Sequence, residues 1–294
     1  MPEKTSAVFI ILGQSNAVGH GIPLKKEDII TEPLKNVYVL NRDKNQAYEN
    51  TELFWSPFIS YGTNLAEEQD HTYSIPYCLA RLWQDEIDAG NPEELPDLYI
   101  IQIAIGAQGV TEDYMWYPQR EKKLIPGKLG TVDIALFPFT MHIFSLLDNS
   151  FRKMGKEYEI IGLHWRGGEE DTDVPQEVLE NTLEQIYHEI FDAFCEVLNS
   201  PPVTLHRMVM PDRMNDLDPS GRMLERMNYI NGVFERLAAY YPTMDIFDMR
   251  EAPHYFPDVR GNGIFIADVV HYTPESNRWA ARCIRNRYVT ENPV

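Results

Sequence analysis

Six consecutive apolar residues, Ala7-Val8-Phe9-Ile10-Ile11-Leu12, run without a break into Gly13-Gln14-Ser15-Asn16. The run is short and rich in β-branched and aromatic side chains, which suits a strand buried on both faces. The sudden change to a glycine and short polar residues marks where that strand leaves the core at the edge of a sheet. In open α/β sheets, ligands bind at the carboxyl ends of the strands. Ser15 would stand there with its hydroxyl in a cleft. Its backbone N–H would point the same way if a helix begins beside it.

Further strand-like runs fall at 36–41, 98–105, 158–165, 203–210 and 244–247, and an apolar stretch at 264–267 precedes Asp268. Between them, helical periodicity runs through 74–89, 135–153, from 173 to 198, through 222–241 and through 274–287. Strand and helix alternate with no repeat or linker, so the expectation is one α/β domain over 1–294, a parallel sheet with helices on both faces. Two loop excursions interrupt it. The stretch 42–71 has too little periodicity for a helix. The stretch 110–132 carries Tyr114-Met115-Trp116-Tyr117 just after a candidate site strand. It reads equally as a substrate wall and as aromatics folded onto the domain.

Acidic residues outnumber basic ones, 45 against 26, for a formal charge of −19. Such a surface repels nucleic acid and anionic membranes. Cys78, Cys195 and Cys283 are scattered and odd in number, which fits neither a disulfide framework nor a zinc site. No His pair has metal-ligand spacing, so neither metal nor cofactor is expected. No signal peptide or membrane-length segment is legible, and the expectation is a cytoplasmic protein.

Taken alone, Ser15 reads as a turn or cap residue, Gly106 as a turn glycine, and Asp268 and Thr273 as capping types for the helix near Pro274. Taken together and in order, the segments Gly13-Gln14-Ser15-Asn16, Gly106, Trp165-Arg166-Gly167-Gly168-Glu169, Asp268 and His271 resemble the blocks of the SGNH hydrolases. The nearest branch is that of sialate O-acetylesterases and family-six carbohydrate esterases. The resemblance implies a flavodoxin-like three-layer α/β/α fold with a parallel sheet of about five strands. It also implies a triad: Ser15 as nucleophile, His271 as general base and then acid, Asp268 as the carboxylate that orients the imidazole. A serine hydroxyl is protonated at neutral pH and needs such a base within reach.

The implied oxyanion hole combines the N–H groups of Ser15 and Gly106 with a side-chain amide from the third block, where this sequence has Gly167. Gln108, Arg166 and Asn16 are the candidates to replace that donor. Glu169 is expected to hold the active-site loop or simply to sit at a helix start, Gln14 and Asn16 to shape the floor, and Trp116 to line or support the site. His20, close to Ser15, is the substitute base.

The resulting expectation is an esterase that removes acetyl or another small acyl group from a hydroxyl, on a small molecule or oligosaccharide. Two alternatives stand beside it: a non-catalytic carbohydrate-binding or structural protein, and an esterase acting on lipids or thioesters.

Overall fold

The computed structural model describes residues 5–21, 23–67, 71–90, 95–120, 125–127, 130–132, 134–209, 219–252 and 271–291, with backbone alone for 125–127, 130–132 and 291. The strands are β1 (Ser6–Gly13), β2 (Val37–Leu40), β3 (Trp55–Pro57), β4 (Leu98–Ala104), β5 (Ile125–Gly127), β6 (Gly130–Val132), β7 (Tyr158–Arg166), β8 (Val203–His206) and β9 (Met244–Phe247). The α-helices are α1 (Ser15–Val18), α2 (Arg42–Asn45), α3 (Ile75–Asp88), α4 (Leu136–Met154), α5 (Gln176–Asn181), α6 (Leu183–Val197), α7 (Arg222–Tyr240) and α8 (Pro274–Glu291).

Side chains alternate across a strand, and β1 buries both sets. Val8, Ile10 and Leu12 join one core cluster, and Ala7, Phe9 and Ile11 join the other. The first cluster is closed by α4, α6 and α7, through residues such as Phe139, Phe144, Tyr187, Phe194 and Phe234. The second is closed by α3 and α8, through Leu79, Trp83, Ala280 and Ile284. This is the three-layer α/β/α architecture expected from the sequence. Ser74 starts α3 by accepting the Tyr77 N–H at 3.2 Å, with proline in the first turn.

The sheet order is β3-β2-β4-β1-β7-β8-β9. β1 pairs in parallel with β4 on one side and β7 on the other. After β1 the chain moves out to β2, returns to β4, and then crosses β1 to continue outward through β7, β8 and β9. The strand order therefore reverses around β1, and the crevice at its carboxyl end is the topological switch point.

The sheet has seven strands, more than the five or so expected. One of the additional strands is β3, an antiparallel edge strand pairing Pro57 with Tyr38, within the stretch 42–71 read as loop. Three residues are too few to show a period, and an edge tolerates the proline. The same stretch holds the one-turn helix α2. The expected helix through 198 is two helices, broken at Thr182, whose φ is −128° and whose Oγ1 donates to the Val178 carbonyl at 2.9 Å. Within 110–132, β5 and β6 form a separate hairpin. No described helix is long and apolar enough to cross a membrane.

Candidate active site

The turn that carries Ser15 is dictated by Gly13. Its φ is +137°, and a Cβ there would lie 2.0 Å from the Arg166 carbonyl oxygen, so only glycine lets β1 end beneath the last residue of β7. The Gln14 N–H then donates to that same oxygen at 3.1 Å. The Gln14 carbonyl accepts the N–H groups of Ala17 and Val18 at 2.7 and 2.9 Å, closing the single turn of α1. Ser15 is the first residue of that turn and is partly exposed. Its N–H has no partner within the turn, as at any helix start. Its carbonyl accepts from Gly19 and His20, both at 3.0 Å.

The third sequence block grips this turn through Asn16. Arg166 is buried, and its Nη1 donates to the Asn16 carbonyl at 3.1 Å and to Asn277 Oδ1 at 3.0 Å. Its guanidinium also lies 4.2 Å from the centre of the Tyr272 ring. The Asn16 side chain donates to Glu169 Oε1 at 2.9 Å. Arg166 and Glu169 thus fix the residue next to Ser15, one through its backbone and one through its side chain.

Three other residues singled out from the sequence make contacts within the protein. Trp116 is fully buried and cannot line a substrate cleft; its Nε1–H donates to the Gly13 carbonyl at 2.9 Å, and its ring packs edge-on against Trp165. Gln108 accepts the Met115 N–H at 3.0 Å, which commits its oxygen to the loop. Gln14 is buried, and its side-chain oxygen faces the Glu170 N–H at 3.5 Å. Gly167 tolerates a Cβ, which would meet Gln14, Gly13 and Trp165 at 3.6 Å, ordinary contact.

Next to Glu169, Asp171 is fully buried, accepting the Val110 N–H and the Tyr187 hydroxyl, both at 2.9 Å. Burial pushes its pKa up to about 7, against the opposing pull of those two donors.

His271 lies just before α8. That helix is capped by Thr273, whose Oγ1 accepts the Ser276 N–H at 3.2 Å. Asp268 lies outside the described residues. The His271 ring is 5.4 Å from the His20 ring, edge to face. Ser15, His20 and His271, from opposite ends of the sequence, are therefore brought to one end of the sheet.

Gly106 departs from expectation. Its N–H does not stand open toward the cleft but donates to Glu67 Oε2 at 2.6 Å. The other oxygen of that carboxylate lies 3.2 Å from His20 Nε2. The space a glycine leaves is filled by His20, whose Cε1 would be 2.7 Å from a Cβ at position 106. Burial raises the pKa of Glu67, but the bonds from His20 and the Gly106 N–H outweigh it and hold the carboxyl below its usual value. The sequence gives little sign of this residue, one of several acidic side chains in an aperiodic loop. Among the described residues, no cluster of three His, Cys, Asp or Glu could hold a metal ion.

No family model matches the chain, and no curated protein matches it in sequence. Solved structures do match its fold. A protein from Arabidopsis thaliana superposes with a TM-score of 0.60 at 14% identity, covering 97% of this chain and 98% of that one. NanS superposes with a TM-score of 0.61 at 14% identity, covering 100% of both chains. At such identities the likeness establishes a shared fold along the length of the chain.

Proposed function

We propose that this chain is a serine esterase that removes acetyl or another small acyl group from a hydroxyl, with carbohydrate esters as the substrate class. The observation that carries the reading is the position of Ser15. It stands partly exposed at the switch point of the sheet, on a turn clamped by Arg166 and Glu169 through Asn16, with His271 drawn in from the far end of the chain.

In this reading Ser15 Oγ attacks the ester carbonyl as its proton passes to His271, held in the right tautomer by Asp268. The tetrahedral oxyanion receives the N–H of Ser15 and, once it is available, the N–H of Gly106. His271 returns the proton to the leaving alcohol, and an acyl-Ser15 ester remains. Water, deprotonated by His271, then releases the acid and restores the serine. The carbohydrate preference and the role of Asp268 rest on the sequence resemblance. Turnover of p-nitrophenyl acetate by the wild-type protein, lost in Ser15→Ala and in His271→Ala, is the expected result. Equal rates in all three proteins would remove the proposal.

One observation favours a second reading, a binding protein on an esterase scaffold. The Gly106 N–H is already bonded to Glu67, and Gly167 supplies no side-chain amide in its place. That reading predicts no turnover in any of the three proteins, together with measurable binding of acetylated sugars.

A further inference from the structure

The Gly106 N–H holds an anion supplied by the protein itself. Glu67 Oε2 sits 2.6 Å from that nitrogen, a short, charge-assisted hydrogen bond, and Oε1 faces His20 at 3.2 Å. The backbone beneath Glu67 is fixed. Asn64 Nδ2 donates to the Glu67 carbonyl and to the Ala104 carbonyl, both at 2.9 Å, and Asn64 Oδ1 accepts the Ala104 N–H at 3.0 Å. The Leu65 N–H adds a bond to the Gln102 carbonyl at 2.9 Å. The turn is thus stitched along the end of β4. The Glu67 side chain itself is 16% exposed, so it is not sealed from water.

We propose that Glu67 is a built-in occupant of the oxyanion site, an internal carboxylate that a substrate must displace from the Gly106 N–H before Ser15 can be acylated. The inference rests on the esterase reading given above. A neutral ester carbonyl is a weaker acceptor than a carboxylate and competes poorly for the amide. The full negative charge of a tetrahedral adduct competes well. Glu67 therefore sets a threshold that is crossed only by ligands whose other contacts hold them in place while the side chain swings out.

The test compares wild type with Glu67→Ala and Glu67→Gln, using p-nitrophenyl acetate turnover and inhibition by methylboronic acid. Ser15 Oγ would add to boron, forming one B–O bond as its own O–H breaks and the proton passes to His271, with no group leaving boron. The resulting anionic boronate oxygens would compete with Glu67 for the Gly106 N–H. The expected result is a rise in kcat/KM and in boronate affinity of about tenfold in Glu67→Ala, near what a hydrogen bond to a charged group is worth. A smaller rise in the same direction is expected in Glu67→Gln, whose neutral amide oxygen is a weaker occupant.

A merely structural Glu67 would give the opposite ordering, with Glu67→Ala slower and weaker-binding and Glu67→Gln restored toward wild type. That outcome overturns the proposal and leaves the esterase reading intact. Activity that appears only in the variants supports both. No turnover and no boronate binding in any of the three proteins removes the esterase reading and this inference with it.

Discussion

Asn16 Nδ2 donates to Glu169 Oε1 at 2.9 Å, a bond that spans 153 residues and joins the turn of Ser15 to the segment after β7. It fixes the residue beside Ser15. Glu169→Ala leaves the Asn16 amide without this acceptor, at a cost of about 1–3 kcal/mol. We expect a lower melting temperature and a fall in kcat of roughly tenfold with KM little changed. Glu169→Gln still offers an oxygen at the same place and should recover most of both. Steady-state kinetics with thermal melts decides it; equal losses in the two variants would show that the charge, rather than the hydrogen bond, matters.

Two glycines near the site should respond in opposite ways. Gly13→Ala forces a Cβ to within 2.0 Å of the Arg166 carbonyl at a φ of +137°, and should cost more than about 3 kcal/mol or abolish folding. Gly167→Ala meets only 3.6 Å contacts and should melt close to wild type. Gly167→Gln starts from that same tolerated Cβ and adds a side-chain amide next to Gln14 and Gly13. Its esterase rate should rise about tenfold, short of the two to three orders that a native oxyanion donor is worth. Circular dichroism melts and initial rates cover all three variants.

His164 Nδ1 and His206 Nε2 lie 2.8 Å apart in the core. Burial, with Arg287 and Arg166 nearby, lowers His164 to about 3, and burial with His164 and Arg166 holds His206 well below its usual range. Both rings stay neutral in the folded chain, one donating to the other. Unfolded, they protonate near the ordinary histidine value of about 6.5. The unfolded chain thus binds more protons below that pH, so stability present above about pH 6.5 is lost as pH falls. Urea titrations from pH 7 to pH 4 should give a shallower loss in His164→Phe/His206→Phe than in wild type. Parallel curves would contradict the neutral pair.

Asp171 acts with the opposite sign. Its folded pKa of about 7 lies above the ordinary carboxyl value, so the unfolded chain gives up its proton first. Its contribution is complete below about pH 4 and is lost as pH rises toward 7. Asp171→Asn keeps an oxygen for the Val110 N–H and does not ionise. Relative to wild type it should gain stability steadily across that interval, by up to roughly 4 kcal/mol. A difference that does not vary with pH would mean that Asp171 is ionised throughout.

Much of this architecture is legible in the sequence because it is written in local patterns. The unbroken run 7–12 marks β1 and its two buried faces, Ser74 and Pro76 mark the start of α3, and Gly13 marks the turn that its contact with Arg166 requires. What escapes is set by contacts between distant segments. Trp116 reads as a loop aromatic, yet its indole is spent on the Gly13 carbonyl 103 residues away. Glu67 sits among acidic loop residues, and its meaning comes from Gly106 and His20, neither of them near it in sequence. The break at Thr182 had a local cue in a threonine inside a helical pattern, outweighed by the apolar period running through it. β3 is too short to show a period at all.

The most direct test of the central claim is covalent labelling of the native protein with a fluorophosphonate, followed by peptide mass spectrometry. The account predicts one added phosphonyl group per chain, located on Ser15, absent in Ser15→Ala and greatly slowed in His271→Ala. An unlabelled wild-type protein, or a label on any residue other than Ser15, would contradict it.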